Sequence, residues 1–211
     1  MDLAHPLASF ASPAEARVLE VLAGTSGPLS GREIGRIGEW GSSSSPWRAL
    51  TRLVDQGIVL VDHRGNTIYY TANRDHLAWP AIEQIARVRT ELFSRLAHLV
   101  ESWAFAPSHV SVFGSVARAD ADAGSDVDIL LVRPDLPAAD LDEWDAQVAQ
   151  LRTAVHRWTG NECQAFVVDP ARLAEHARAN DPLVRAWLAD GIRIAGAPLS
   201  TLLHRPPIGI A

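Results

Sequence analysis

The chain has 211 residues, a formal net charge of −6, and 47% hydrophobic and 21% charged residues. This composition excludes wholesale disorder and fibrous architecture, and the length accommodates two domains of roughly 100 residues that each bury a core. No segment reaches the roughly 20 apolar residues of a membrane-spanning helix, and no basic region precedes an apolar stretch at the N-terminus. A single cysteine, Cys163, excludes an internal disulfide framework and any cysteine-rich zinc site. We therefore expect a cytoplasmic protein with no membrane partner.

Neither half of the chain is basic. Residues 1–80 carry seven Arg against eight acidic residues, residues 81–211 carry twelve against seventeen, and the chain has no Lys. Neither half has the basic surplus that tight non-specific nucleic-acid binding requires, although a local patch of Arg can persist in an acidic domain.

The first elements in chain order are three helices and a hairpin. Residues 12–23 begin with a capping Ser and a Pro at the first helical position, which predicts a helix. A shorter helix is predicted for residues 30–37, and a third from 45 to the Gly at 57. Residues 58–71 form two β-rich runs around Arg-Gly-Asn, which predicts a hairpin. The side chains expected in the core include Ile34, Ile37, Trp40 and Trp47.

This order of elements resembles winged helix-turn-helix regulators, and residues 42–73 resemble their recognition helix and wing. The resemblance implies that residues 1–80 form a winged-helix domain that binds double-stranded DNA. The side chains that it places on the major groove, the phosphates or the minor groove are Ser43, Ser44, Ser45, Arg48, Arg52, His63 and Arg64. Hydroxyl groups at a helix N-terminus can donate to phosphate oxygens, and Arg can bind a guanine edge or phosphates. The alternative is a winged helix whose exposed polar residues serve protein contacts.

A connector follows in residues 77–103, where apolar residues recur every three or four positions. This period predicts one long amphipathic helix, interrupted near its start by Pro80. The helix would join the two domains, and its exposed side offers a face for a homodimer.

Residues 109–132 carry the clearest chemical signal. A short apolar strand, residues 109–113, runs directly into Gly114 and Ser115, and Asp126 and Asp128 head a second strand. Because side chains alternate along a strand, both carboxylates face the same side, about 6–7 Å apart along the chain. Such hard oxygen ligands suit Mg²⁺ or Mn²⁺, which takes further ligands from substrate phosphates. Gly114 permits close approach of a ligand, and Ser115 offers a hydroxyl and an N–H to phosphate oxygens.

Residues 114–132 resemble the signature of the polymerase-beta-like nucleotidyltransferase superfamily, particularly its minimal bacterial members. The resemblance implies that residues 81–211 comprise the connector and an α/β domain with a small mixed sheet flanked by helices, so that the whole chain is α+β. It also implies that an acceptor hydroxyl attacks the α-phosphorus of an NTP while pyrophosphate leaves. Asp126 and Asp128 become catalytic metal ligands. The residues implied to bind nucleotide are Gly114, Ser115, Arg118 and Ser125.

A third carboxylate, which active relatives usually carry on the next strand, is not evident. That strand is predicted for residues 163–168, and the positions on the side of the site are Gln164, Phe166 and Val168. Glu162 precedes the strand and Asp169 follows it, so a shifted register could bring either into the site.

Three functions remain open. In the first, the chain is an Mg²⁺-dependent enzyme that modifies a protein, an RNA or a small molecule. In the second, it is a DNA-binding regulator whose degenerate nucleotidyltransferase domain senses nucleotide or acts as a scaffold. In the third, it is the antitoxin-like partner of a toxin. Modification of antibiotics ranks last, because a winged helix adds nothing to drug inactivation.

Overall fold

The computed structural model describes residues 1–40 and 46–203. The chain divides into two compact units: Asp2 with residues 4–88, and Met1 and Leu3 with the chain from Arg89 onward. Among the described residues, no helix is both long and apolar enough to cross a membrane.

Among its described residues, the first unit contains four α-helices and a three-stranded sheet. In chain order it has a 3-10 turn (Pro6–Ser9), α1 (Pro13–Ala23), β1 (Leu29–Ser30), α2 (Gly31–Ile37), α3 (Trp47–Asp55), β2 (Val59–Arg64), β3 (Thr67–Ala72) and α4 (Trp79–Ala86). The strands lie in the order β1-β3-β2, and both pairings are antiparallel. The predicted helices and hairpin are therefore confirmed, whereas β1 was not predicted.

Local sequence explains how two of these helices begin. Ser12 and Glu15 form a capping box at α1, and Ser30 and Glu33 form another at α2. In each box the Ser hydroxyl accepts from the backbone N–H of the Glu, and the Glu carboxylate accepts from the backbone N–H of the Ser. The hairpin between β2 and β3 turns at Gly65, whose φ of +59° favours glycine.

Two side chains expected in the first core are largely exposed. Ile37 is 44% exposed and Trp47 is 51% exposed, so both predictions are wrong. Ile37 is the last residue of the seven-residue helix α2. The Trp47 ring lies against Gly31, where an added Cβ would come within 2.5 Å of it, and 6.4 Å from the ring of Tyr70. Trp40 packs partly buried against the core.

The predicted single connector helix is two helices, α4 (Trp79–Ala86) and α5 (Val88–Glu101). The break lies at Arg87, whose φ and ψ are −96° and 5° and whose N–H bonds to the Gln84 carbonyl three residues earlier. The single-helix prediction is therefore wrong. The sequence did not reveal the break because the apolar period continues across it. The compact units also part here, after Val88.

The second unit is a mixed sheet covered by helices. After α5 it has β4 (His109–Phe113), α6 (Gly114–Arg118), β5 (Val127–Val132), a 3-10 turn (Ala138–Asp140), α7 (Leu141–Thr159), β6 (Cys163–Val168), α8 (Pro170–Arg178), α9 (Pro182–Asp190), β7 (Ile192–Gly196) and α10 (Leu199–Leu203). The strand order is β6-β5-β4-β7, with β5 and β6 parallel and the other pairs antiparallel. The predicted small mixed sheet flanked by helices is confirmed for this unit.

The two faces of this sheet have different neighbours. On one face Phe113, Leu130 and Val168 join a core with Leu173 of α8 and Trp187 of α9. The helix α7 contacts β6. The central strands β4 and β5 are buried almost throughout, so they form a rigid base for whatever lies at their ends.

Candidate functional site

The candidate site lies where β4 ends and β5 begins. In the antiparallel pair Phe113 is opposite Asp128, and in the parallel pair Asp128 is level with Gln164. Phe113, Asp128 and Gln164 therefore share one face of the sheet. Asp126 lies just before β5 and accepts a hydrogen bond from Gln164. The structure places Asp128 against the turn that follows β4 and Asp126 beside Gln164.

Gly114 begins this turn in a conformation that a side chain would disturb. Its φ is +70°, in the left-handed region. A Cβ added there would lie 2.5 Å from Oδ2 of Asp128. We predicted that Gly114 lets a ligand approach the backbone closely; in the structure the Asp128 carboxylate makes that approach. The carboxylate can occupy this position only because Gly114 has no side chain.

The two carboxylates differ in their surroundings. Burial raises the pKa of Asp128, the negative charge of Asp126 raises it further, and the positive charge of Arg118 opposes the rise. The Nε2 of Gln164 donates to Oδ2 of Asp126 over 3.3 Å. Two half-buried carboxylates that repel each other, one on β5 and one just before it, form a donor set of hard oxygens that suits a divalent cation.

Ser115 is carried by α6, a helix of five residues. Its carboxyl end is held from α5: the Nε of Arg89 donates to the Val116 carbonyl over 2.7 Å, and its Nη2 donates to the Ala117 carbonyl over 2.5 Å. Burial lowers the pKa of Arg89. Sequence reasoning missed Arg89, because its position among the charged residues of an amphipathic helix gives no sign of its partners.

Arg118, predicted to bind nucleotide, is held by two carboxylates. Its Nη1 donates to Asp190 over 2.7 Å, and its Nε donates to Asp120 over 3.0 Å. The Asp190 bond is the main cause of the raised pKa of Arg118, with the Asp120 bond second. Asp190 is 72 residues away in sequence, at the end of α9, so no local pattern could identify it.

Ser125, also predicted to bind nucleotide, has its side chain in a local turn. Its hydroxyl donates to Oδ1 of Asp122 over 2.9 Å and accepts from the Asp122 backbone N–H over 2.9 Å. The carbonyl of Ser125 accepts from Nδ2 of buried Asn161 over 2.8 Å. These bonds fix the loop that leads into Asp126.

No third carboxylate enters the site from the positions that we considered. Glu162 is 73% exposed and lies 3.4 Å from Nδ1 of His156, and Asp169 caps α8 at the opposite end of β6. Phe166, two residues beyond Gln164, packs edge-on against Phe113 at 5.4 Å. Within residues 1–40 and 46–203, no group of three or more His, Cys, Asp or Glu side chains could hold a metal ion.

Cys163 lies on the opposite face of β6 from Gln164 and is buried. Burial raises the pKa of its thiol to about 12. Because it is buried on the other face of the strand, Cys163 lies outside the candidate site.

The residues predicted to contact DNA lie on the first unit. Ser43, Ser44 and Ser45 fall outside the described residues. Arg48 is exposed on α3, while the Nε of Arg52 donates to the buried carboxylate of Glu15.

The remaining two DNA predictions are on the hairpin. His63 is exposed near its tip, and Arg64 donates to Oδ2 of Asp62 over 2.7 Å and stacks on Tyr69 at 5.1 Å. Two of the three arginines predicted to contact DNA therefore already have an acidic partner.

Comparison with known proteins concerns the second unit. Residues 96–175 match the family model of the nucleotidyltransferase domain, over less than half of the chain. A solved structure of a provisionally assigned nucleotidyltransferase from Sulfolobus solfataricus is 21% identical and covers 50% of this chain and 85% of its own, with a TM-score of 0.26. A TM-score this low carries no argument about fold. No curated protein matches the chain. The family match, which includes Gly114, Ser115, Asp126 and Asp128, supports a nucleotidyltransferase domain.

Proposed function

We propose that the second unit is a divalent-cation-dependent nucleotidyltransferase whose reaction takes place at Asp126 and Asp128. The observation that carries the proposal is the packing of Gly114 against the Asp128 carboxylate, where an added Cβ would lie 2.5 Å from Oδ2. It joins the turn and the carboxylate strand, the two parts of the predicted signature, in one place. The nucleotidyltransferase family match covers both parts.

The side chains present fit an Mg²⁺ or Mn²⁺ ion, with Asp126 and Asp128 as its ligands. When bound, the ion would polarise phosphoryl oxygens and offset the charge that develops on the leaving group. Ser115 would donate to the terminal phosphates through its hydroxyl and N–H. The acceptor oxygen forms a bond to the α-phosphorus of an NTP, the bond from that phosphorus to the bridging oxygen breaks, pyrophosphate leaves, and the acceptor proton passes to solvent.

The test compares wild type with an Asp126→Asn/Asp128→Asn double variant, which keeps side-chain size and removes both charges. Asp135→Asn, an exposed aspartate after β5, serves as the matched control. We expect calorimetry to show Mn²⁺-dependent NTP binding in wild type and control and none in the double variant. Incubation with cell lysate should transfer label from α-labelled NTP, and not from γ-labelled NTP, to a discrete acceptor. Absence of binding in wild type would refute the proposal.

A second candidate is a regulator that binds nucleotide without turnover. It is favoured by Gln164, which stands level with Asp128 on the strand where active relatives carry a third carboxylate. The same experiment separates the two functions, because Mn²⁺-dependent binding without transfer of α-label would support the regulator.

We further propose that the first unit is a winged-helix domain that binds double-stranded DNA. Its support is the element order α1-β1-α2-α3-β2-β3 with a β1-β3-β2 sheet, which suits that fold. Arg48 and Thr51 are exposed on α3, the helix that would enter the major groove.

Duplex binding measured by fluorescence anisotropy at several salt concentrations tests this proposal. Arg48→Ala should weaken binding and reduce the slope of log K against log salt by about 1, the loss of one phosphate contact. Arg157→Ala removes an exposed arginine from α7 of the other unit and should leave binding unchanged. Equal effects of the two variants would contradict a role for α3.

A further inference from the structure

The neighbour of the carboxylate pair on β6 is an amide rather than an acid. Gln164 is level with Asp128 in the parallel pair, and its Nε2 donates to Oδ2 of Asp126 over 3.3 Å. One neutral side chain thus stands beside Asp128 and contacts Asp126. Its bond occupies one oxygen of Asp126 and leaves Oδ1 for another ligand.

The charge of the site follows from this arrangement. Among the described residues, the acids nearest in the chain have other surroundings: Glu162 is 73% exposed beside His156, Asp122 accepts from the Ser125 hydroxyl, and Asp120 is bound to Arg118. The centre therefore offers two carboxylate charges, which balance the charge of one divalent cation. A second cation without further anions would meet uncompensated repulsion from the first in a half-buried position.

Gln164 is also the one difference between this centre and a centre with three carboxylates. Replacing its amide with a carboxylate of nearly the same size would place three acids around one point at the strand ends. Phe166, the next residue of β6 on this face, packs against Phe113 and offers no oxygen. The number of carboxylates at the centre thus depends on the side chain at position 164.

We propose that the uncharged side chain at position 164 limits the centre to one divalent cation in the absence of nucleotide, held by Asp126 and Asp128, and that a second cation enters only with the phosphates of an NTP. This inference rests on the proposed function, because it assumes that the two carboxylates hold a cation. It assigns to Gln164 the role of a residue that sets metal stoichiometry.

The test is a count of bound Mn²⁺ per chain by equilibrium dialysis or by the loss of the free-ion spin-resonance signal. We expect one Mn²⁺ for wild type without nucleotide and two with a non-hydrolysable NTP analogue. Gln164→Glu should bind two without nucleotide. Gln164→Ala, which removes the amide and adds no charge, should bind one.

Two Mn²⁺ on the free wild type, or one on the free Gln164→Glu variant, would overturn the inference and leave the proposed function standing. Absence of Mn²⁺ from the wild type both with and without nucleotide would instead refute the proposed function. Circular dichroism of the Gln164→Glu variant shows whether its fold is retained. If that variant does not fold, two Mn²⁺ on free Gln164→Ala still overturns the inference.

Discussion

Replacement of Gly114 by Ala should separate backbone strain from damage to the site. An Ala at φ +70° costs about 1–2 kcal/mol, as expected for a left-handed residue with a Cβ. The new Cβ would also lie 2.5 Å from Oδ2 of Asp128, a distance that forces the carboxylate to rotate. An off-rotamer side chain costs a further ~0.5–1.5 kcal/mol. More importantly, the Asp128 oxygens would leave the position in which they face a cation.

Gly160, which ends α7, provides the matched control. Its φ is +75°, and a Cβ added there would meet no atom within 4 Å. Gly160→Ala should therefore cost about the same 1–2 kcal/mol of strain without touching the site. Each kcal/mol corresponds to roughly 2–8 °C in Tm for domains of this size range.

The assay is Mn²⁺-NTP affinity by calorimetry together with urea denaturation of both variants. We expect Gly114→Ala to lose about ten- to hundredfold in affinity, as for displaced groups around a metal, and Gly160→Ala to bind as wild type does. Similar affinities for the two variants, despite similar losses of stability, would refute the role assigned to Gly114.

Three other perturbations test the structure of the second unit. Arg89→Ala should cost about 1–3 kcal/mol in urea denaturation because two carbonyls lose their donor, whereas Arg95→Ala, an exposed residue of the same helix, should cost under about 1 kcal/mol. The backbone N–H of Leu183 and the ring of His176 lower the pKa of Asp181, so its charge stabilises the fold above the ordinary aspartate pKa of about 3.9. That stabilisation is lost as the pH falls through the lowered value, and a stability difference between wild type and Asp181→Asn that persists at the acid end would contradict the assignment. Cys163, with a pKa of about 12, should resist iodoacetamide in the folded protein and react once it is denatured; equal labelling rates would show that the thiol is accessible.

Local signals predicted much of the second unit correctly. The strand of residues 163–168 has the bounds that its β-rich run predicted, and β5 begins at Val127, between the two aspartates that were predicted to head it. Gln164 was also identified as facing the site. These features depend on residues close together in sequence or on alternation along one strand, which is why the sequence contains them.

Features that depend on distant partners could not be predicted. The bond from Arg118 to Asp190 joins residues 72 positions apart, and the two bonds from Arg89 to the carboxyl end of α6 depend on how α5 packs. Similarly, the apolar period through the connector is the same for one helix as for two. Trp47 shows the remaining limit, because hydrophobicity predicted a buried ring and the structure leaves 51% of the residue exposed.

The two hydrogen bonds from Arg89 have a practical consequence for the choice of domain boundaries. The nucleotidyltransferase family match begins at residue 96, and a fragment cut there would appear to contain every motif. It would lack Arg89 and the first half of α5, including Leu92, which is 3% exposed. The carbonyls of Val116 and Ala117 would then lose their donor, directly behind Ser115. An expression boundary for this half of the chain belongs at or before Val88.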